Sequence, residues 1–238
     1  MGFCKKKKNL SEQDIENNQG EKWIWTAIDA PTRLIVCFLI GDRTMEDGKQ
    51  LLSNLASRLL EKPLFVSDEL AHYKNCLLEQ YHELVNSEPT GRPGRPRNPL
   101  KIVQDDLDYV TVHKTREGGR VVKVERRIVF GDAVRIADRL ESSPSHTINT
   151  SFVERTNLDW RLWDAHLSRK ALTFARSFRW LNAKFAICVA AYNFVRPHES
   201  LSRGRDRIFY PRTPAMAAGV TYRPWTISDL LWSRQSCQ

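Results

Sequence analysis

The chain has 238 residues, 41% of them hydrophobic, with seven Trp and ten Phe, enough apolar side chains to close a core and too many for a disordered basic tail. Thirty-seven Lys and Arg oppose 28 Asp and Glu, a formal net charge of +9, and a globule so basic is suited to a polyanion such as DNA or RNA. No apolar run approaches the roughly twenty residues that span a bilayer, and no apolar stretch follows the basic start Met-Gly-Phe-Cys-Lys-Lys-Lys-Lys, so that start is not expected to be a secretory signal.

Residues 1–21 are polar, with one short strand expected at Gly2–Cys4. Trp23–Asp29 (WIWTAID) and Leu34–Ile40 (LIVCFLI) read as strands joined by the turn Ala30-Pro31-Thr32, a hairpin entering the middle of a sheet. Thr44 is placed to cap a helix carrying Glu46 and Asp47 in its first turn and Leu51, Leu52, Leu55 and Leu59 at helical spacing, ended by Pro63. Leu64–Ser67 is a short buried strand running into Asp68, and Leu70–Val85 reads as the next helix. Strand, strand, helix, strand, helix is an α/β order.

Residues 87–101 (SEPTGRPGRPRNPLK) break the pattern as a basic connection. Within it Gly91–Arg97 resembles a minor-groove-binding hook, whose Arg92, Arg95 and Arg97 would touch DNA, although Pro93 stands where the usual core has Arg. A rigid proline-rich linker accounts for the same residues. Tyr109–Lys114 and Val121–Phe130 follow as strands about the turn Glu117-Gly118-Gly119. The remainder reads as helical, with one helix beginning near Ser151 and another over about Thr173–Phe194. In the latter, Phe174, Phe178, Leu181, Phe185, Cys188 and Tyr192 make one apolar, core-facing stripe. The five cysteines (Cys4, Cys37, Cys76, Cys188 and Cys237) are scattered, odd in number and without a Cys-x-x-Cys pair, which argues against a disulfide framework or zinc site and for a reducing cytoplasm.

Two acids stand out by context. Asp68 sits where a buried strand ends, the edge at which α/β sheets build sites. Glu154 lies in the first turn of a helix, with Asn157 and Arg161 on the same face. Such carboxylates can hold magnesium, which keeps waters and accepts few protein oxygens. Acids also terminate strands and favour helix N-termini for structural reasons alone. Arg155, Arg161, Arg169 and Lys170, interleaved with Trp160 and Trp163, suit either DNA or a solvated face.

Trp25-Thr-Ala-Ile-Asp29, Gly41-Asp-Arg-Thr-Met45, Val66-Ser-Asp68, Ser151-Phe-Val-Glu-Arg-Thr-Asn157, Leu167–Ser177, Tyr192-Asn-Phe-Val-Arg-Pro-His198 and Thr213–Gly219, taken in this order, cover nearly the whole chain. Together they resemble the insertion-sequence-one type of bacterial and archaeal transposase. The resemblance implies a ribonuclease H-like mixed sheet with helices on both faces, residues 22–232 as the catalytic core with a β-containing insertion at about 87–148, and a tail at 233–238. It implies an Asp-Asp-Glu triad binding two magnesium (or manganese) ions, with Asp68 as the second acid and Glu154 as the third. Asn157, Arg161, Arg169 and Lys170 would contact DNA, and Arg196 and His198 would serve packing or backbone contact.

In that family the first acid lies in an Asp-Glu-x-Trp tag before a Gly/Ser-Phe pair. The pair is here as Gly2-Phe3, so the resemblance places the first acid upstream of Met1, and little strand transfer is expected from the chain alone. Asp29 is the candidate substitute, although its position suits a hairpin-capping turn acid, and Asp42 and Asp47 are weaker ones. The partners implied are the element ends and target DNA, engaged by a dimer or larger assembly, and the expected location is the cytoplasm, at the nucleoid. A non-catalytic DNA-binding relic or regulator of transposition is the alternative from a different class. A nuclease or resolvase of the same fold is a third reading.

Overall fold

The computed structural model describes residues 2–3, 21–86, 98–141, 143, 146–167, 175, 177–202 and 208–233. The mixed α/β chain divides into two compact units, one from Met1–Arg43 with Ser151–Gln238 and the other from Thr44–Thr150. The second unit therefore takes in the strand of Asp68 as well as the expected insertion.

In the first unit β1 (Gly2–Phe3), β2 (Glu21–Ile28) and β3 (Ile35–Gly41) form an antiparallel sheet in the order β1-β2-β3. The expected hairpin is β2–β3, with Trp25 opposite Leu39 and a register shift at Ala27/Ile28. The 13-residue helix starting at Ser151 ends at Trp163, and a second helix covers Phe178–Ala190. The latter winds on into a π turn, Ala191–Val195. The predicted stripe is core as read: Leu181, Phe185 and Tyr192 are buried, Phe178 and Cys188 half-buried, and Phe174 lies outside the described residues. Trp160 inserts among them, its ring 5.1 Å from Phe185 and 5.4 Å from Tyr192, both edge-on. Edge-to-face rings of this size dominate a core, by area and by their oriented quadrupoles.

Asn193 ties that core to the sheet. Its buried side chain accepts from the Ile35 amide and donates to the Ile35 carbonyl, each at 3.0 Å, and so acts as one more strand residue beside β3. Asn193→Ala leaves both backbone groups buried and unpaired, at roughly 1–3 kcal/mol each. The expected result is a loss of about 2–4 kcal/mol of unfolding free energy in urea, read by tryptophan emission, and an unchanged midpoint would overturn this role.

In the second unit helix α1 (Met45–Ala56) begins as read. The Thr44 hydroxyl accepts from the Asp47 amide and the Asp47 carboxylate accepts from the Thr44 amide, a reciprocal capping box. The helix ends at Ala56, before Leu59 and well short of Pro63. Helix α2 (Ala71–Gln80) packs against it where Gly48 meets Cys76. A Cβ on Gly48 would stand 2.8 Å from the Cys76 sulfur, so only glycine permits this approach.

The helix expected over Leu70–Val85 is shorter than read. It stops at Gln80, and His82–Val85 is a strand, β5, paired antiparallel with β6 (Leu100–Val103). The pairing of Leu84 and Val85 with residues some sixteen positions on overrides their helical periodicity.

Strand β4 (Leu64–Asp68) pairs in parallel with β7 (Asp108–Glu117), which pairs antiparallel with β8 (Arg120–Phe130). Both strands predicted about the Gly118-Gly119 turn are present, each longer than read. Instead of one mixed sheet, the described residues form two three-stranded sheets and the β5-β6 pair. A helix not foreseen individually, α3 (Ala133–Glu141), follows β8, its first turn capped by the Asp132 carboxylate through the Val134 and Arg135 amides. No helix among the described residues is long and apolar enough to cross a membrane.

Candidate functional site

Asp68 is the last residue of β4, exposed, opposite Val112 in the parallel ladder. Parallel pairing directs the carboxyl ends of β4 and β7 the same way, and loops leaving such ends are where α/β proteins bind. The carboxylate of Asp68 forms no hydrogen bond or ion pair among the described residues. The neighbouring Glu69 is differently placed: it meets His113 Nδ1 at 2.6 Å and Arg127 Nη1 at 3.0 Å, and Arg127 also reaches Glu125 at 3.0 Å. Of the two adjacent acids, then, Glu69 is neutralised by protein partners and Asp68 is available. Ser67, one residue before, shares a hydrogen bond of 2.8 Å with the Tyr109 hydroxyl. Burial pushes that phenol above its usual pKa, and the Asp68 charge adds to the rise.

Glu154 lies in the other unit, in the first turn of helix α4 (Ser151–Trp163), and is exposed. Thr156 and Trp160 face the core, which turns Glu154 and Leu158 outward with Asn157 and Arg161 half-buried beside them. The structure thus brings Glu154, Asn157 and Arg161 onto one helix face, as their spacing requires. Arg169, Lys170, Arg92, Arg95 and Arg97 lie outside the described residues. Among the described residues no three His, Cys, Asp or Glu side chains cluster as a metal site. The unpartnered Asp68 and the outward Glu154 are single oxygen donors, the type magnesium accepts when waters and phosphates complete its shell.

The other acids considered for the triad have structural work. Asp29 closes the β2–β3 turn: its carboxylate accepts from the Thr32 amide at 3.1 Å and from the Thr32 hydroxyl, and its carbonyl accepts from the Arg33 amide at 2.8 Å. Arg33 completes the turn at φ 63°, in the left-handed region. Asp29 is thus the hairpin-capping acid its position suggested. Asp42 pairs with the buried Lys22 at 2.7 Å, and Asp47 belongs to the α1 capping box.

Around α4 stand cationic groups that spacing alone does not bring together. The Arg33 guanidinium lies 3.6 Å from the centroid of the Phe152 ring, and that of Arg196 lies 4.3 Å from the Trp163 ring. Tyr192, held by Thr156 and pushed above its usual pKa by burial, has the His198 ring 6.2 Å away, edge-on. The tag Tyr192–His198 is therefore a packing hub, with the Phe194 carbonyl accepting from the Trp225 amide at 2.8 Å. Nothing in the local pattern around Arg33 announces its part. It arrives through a turn more than a hundred residues before its neighbours.

His198 is pushed below its ordinary pKa of 6.5, first by burial and then by Arg33, Arg155 and Arg196, against the opposing charge of Asp159. A histidine depressed in the folded state binds its proton more readily when unfolded. Its contribution to stability is complete above 6.5 and is lost as pH falls below that value toward the folded pKa. Unfolding midpoints of the wild type should therefore fall across that window more steeply than those of His198→Gln. Parallel profiles would show that His198 titrates as it does in the unfolded chain.

No family model, curated protein or solved structure matches this chain.

Proposed function

We propose that this chain is the catalytic core of an insertion-sequence DNA transposase of ribonuclease H-like fold, with Asp68 and Glu154 as metal-binding carboxylates. The observation that carries the reading is Asp68: a carboxylate at the carboxyl end of a parallel strand, without a partner among the described residues, beside a glutamate that has two. The strand pattern supports the fold, since an antiparallel hairpin group and a parallel β4–β7 pair separated by helices are both components of such a sheet. The net charge of +9 suits a DNA substrate.

Asp68 and Glu154 would hold magnesium or manganese. When bound, two such ions activate an attacking water or 3′-hydroxyl and stabilise the leaving oxygen of an in-line phosphoryl displacement. Asn157 and Arg161 would position DNA beside Glu154. Arg169, Lys170, Arg92, Arg95 and Arg97 would add backbone and minor-groove contacts, in an assembly of two or more copies on paired element ends. Because Asp29 is committed to its turn, the first acid would come from an Asp-Glu-x-Trp strand preceding Gly2-Phe3.

The test is metal-dependent nicking of labelled element-end DNA by this chain and by a form extended upstream with that strand. Activity confined to the extended form is the expected result. If the extended form binds DNA and never cuts it, the protein is instead a DNA-binding regulator. Equal cutting by both forms, lost on Asp29→Ala, would make Asp29 the first acid.

A further inference from the structure

Arg33, Arg155 and Arg196 come from three distant parts of the chain: the β2–β3 turn, the first turns of α4 and the end of the π turn. All three act electrostatically on one imidazole, that of His198. None forms an ion pair with a carboxylate among the described residues. The acidic neighbours are Asp29, whose carboxylate is taken up by Thr32, and Asp159, which faces the same group.

Two of the three guanidiniums lie over rings of α4, Arg33 over Phe152 at 3.6 Å and Arg196 over Trp163 at 4.3 Å. A guanidinium has five N–H donors, so a ring beneath it leaves donors for an acceptor at the edge; Arg33 gives one of its own to the Ala30 carbonyl, and it stays charged although burial disfavours the charge. Three guanidiniums against two nearby carboxylates leave an excess of positive charge, an arrangement poor for stability and good for an anion that bridges them. The depressed pKa of His198 agrees with a positive local potential.

We propose that Arg33, Arg155 and Arg196 form a binding site for the phosphodiester backbone of DNA on the flank of α4, next to Glu154. The partner is a chain of phosphates rather than a single anion, because three cations are spread about one helix instead of converging on one backbone nest. The site rests on the transposase reading for its purpose but not for its test, which reads binding alone. It would seat the DNA strand so that the backbone runs past the carboxylate of Glu154, and it adds three contacts to those of Asn157 and Arg161 on the same helix.

The experiment is the salt dependence of binding of the full chain to a short labelled duplex of arbitrary sequence. Each phosphate neutralised contributes about 0.9 to the magnitude of the slope of log K against log salt. Arg155→Gln and Arg196→Gln should each reduce that magnitude by about 1 and weaken binding regardless of sequence. Arg58→Gln, at an exposed arginine just beyond the end of α1, should change neither. Arg155 and Arg196 are exposed and outside the core, so both variants should keep the fold, which matched thermal melts check. Wild-type slopes in both variants, an equal drop in Arg58→Gln, or no DNA binding by the parent chain would each overturn the proposal. A chain that binds through these arginines but never cuts, even when extended upstream, leaves the site standing and removes the enzyme.

Discussion

Asp68→Asn is expected to lower magnesium-dependent strand cleavage by the upstream-extended chain about a thousandfold or more, with Glu154→Gln doing the same. Asparagine keeps the size of the side chain and removes the charge that a divalent ion requires. Loss of a metal ligand withdraws several kcal/mol of transition-state stabilisation, and each ~1.4 kcal/mol is a factor of ten. The comparison that makes this informative lies one residue away. Glu69→Gln removes a carboxylate of similar exposure, but one whose partners are His113 and Arg127. That surface network is worth about 0–1 kcal/mol to the fold, so its loss should leave cleavage within a few fold. Because Asp68 has no protein partner among the described residues, Asp68→Asn should also leave the melting temperature in place. Unchanged cleavage in Asp68→Asn would sink the metal-ligand assignment, and equal losses in Asp68→Asn and Glu69→Gln would show a general electrostatic effect of the β4 terminus instead.

What could be read along the chain was what neighbours in sequence decide. The start of α1 follows from Thr44 and Asp47, three residues apart, and the β2–β3 turn from Asp29, Pro31 and Thr32. The apolar stripe of the Phe178–Ala190 helix is a local periodicity that the core uses as written. The errors came where a distant partner decides. His82–Val85 has a helical surrounding and becomes a strand because Leu100–Val103 is there to pair with it. The candidate site divides in the same way. Asp68 is conspicuous because an apolar strand ends on it, although residues 64–67 are half-buried and not buried as read, whereas Glu154 is one acid among several helical ones and is singled out only by the words around it. Of the arginines about His198, Arg155 and Arg196 stand out in sequence while Arg33 does not, since only folding brings the β2–β3 turn to them.

Asp108→Ala should destabilise the second unit by about 3 kcal/mol, the largest fold effect expected of any acid in it. Three aspartates stand together at 105, 106 and 108, and only Asp108 is fully buried. From the first position of β7 it holds Arg135 by three contacts, Nε to both carboxylate oxygens at 3.0 and 2.9 Å and Nη2 to one at 2.6 Å, and Arg139 Nε at 3.1 Å. The same arginines reach on to the carbonyls of Asp105 and Lys62, so one carboxylate fastens α3 to the head of the β4–β7 pair. Gly131 passes so close that a Cβ there would lie 2.2 Å from the Asp108 carboxylate, at φ +103°, which leaves no room for any other residue. Removing one partner of a buried ion pair costs roughly 3–5 kcal/mol. The lower figure applies because the arginine side chains are 36% and 33% exposed and can rehydrate. All seven tryptophans belong to the first unit, so their emission does not report the second directly. A transition that moves to lower urea by circular dichroism in Asp108→Ala, ahead of the tryptophan signal, would assign the loss to the unit that carries Asp68. An unmoved dichroism curve would mean that α3 is fastened by its apolar contacts at Ile136 instead, with the two arginines serving only the surface.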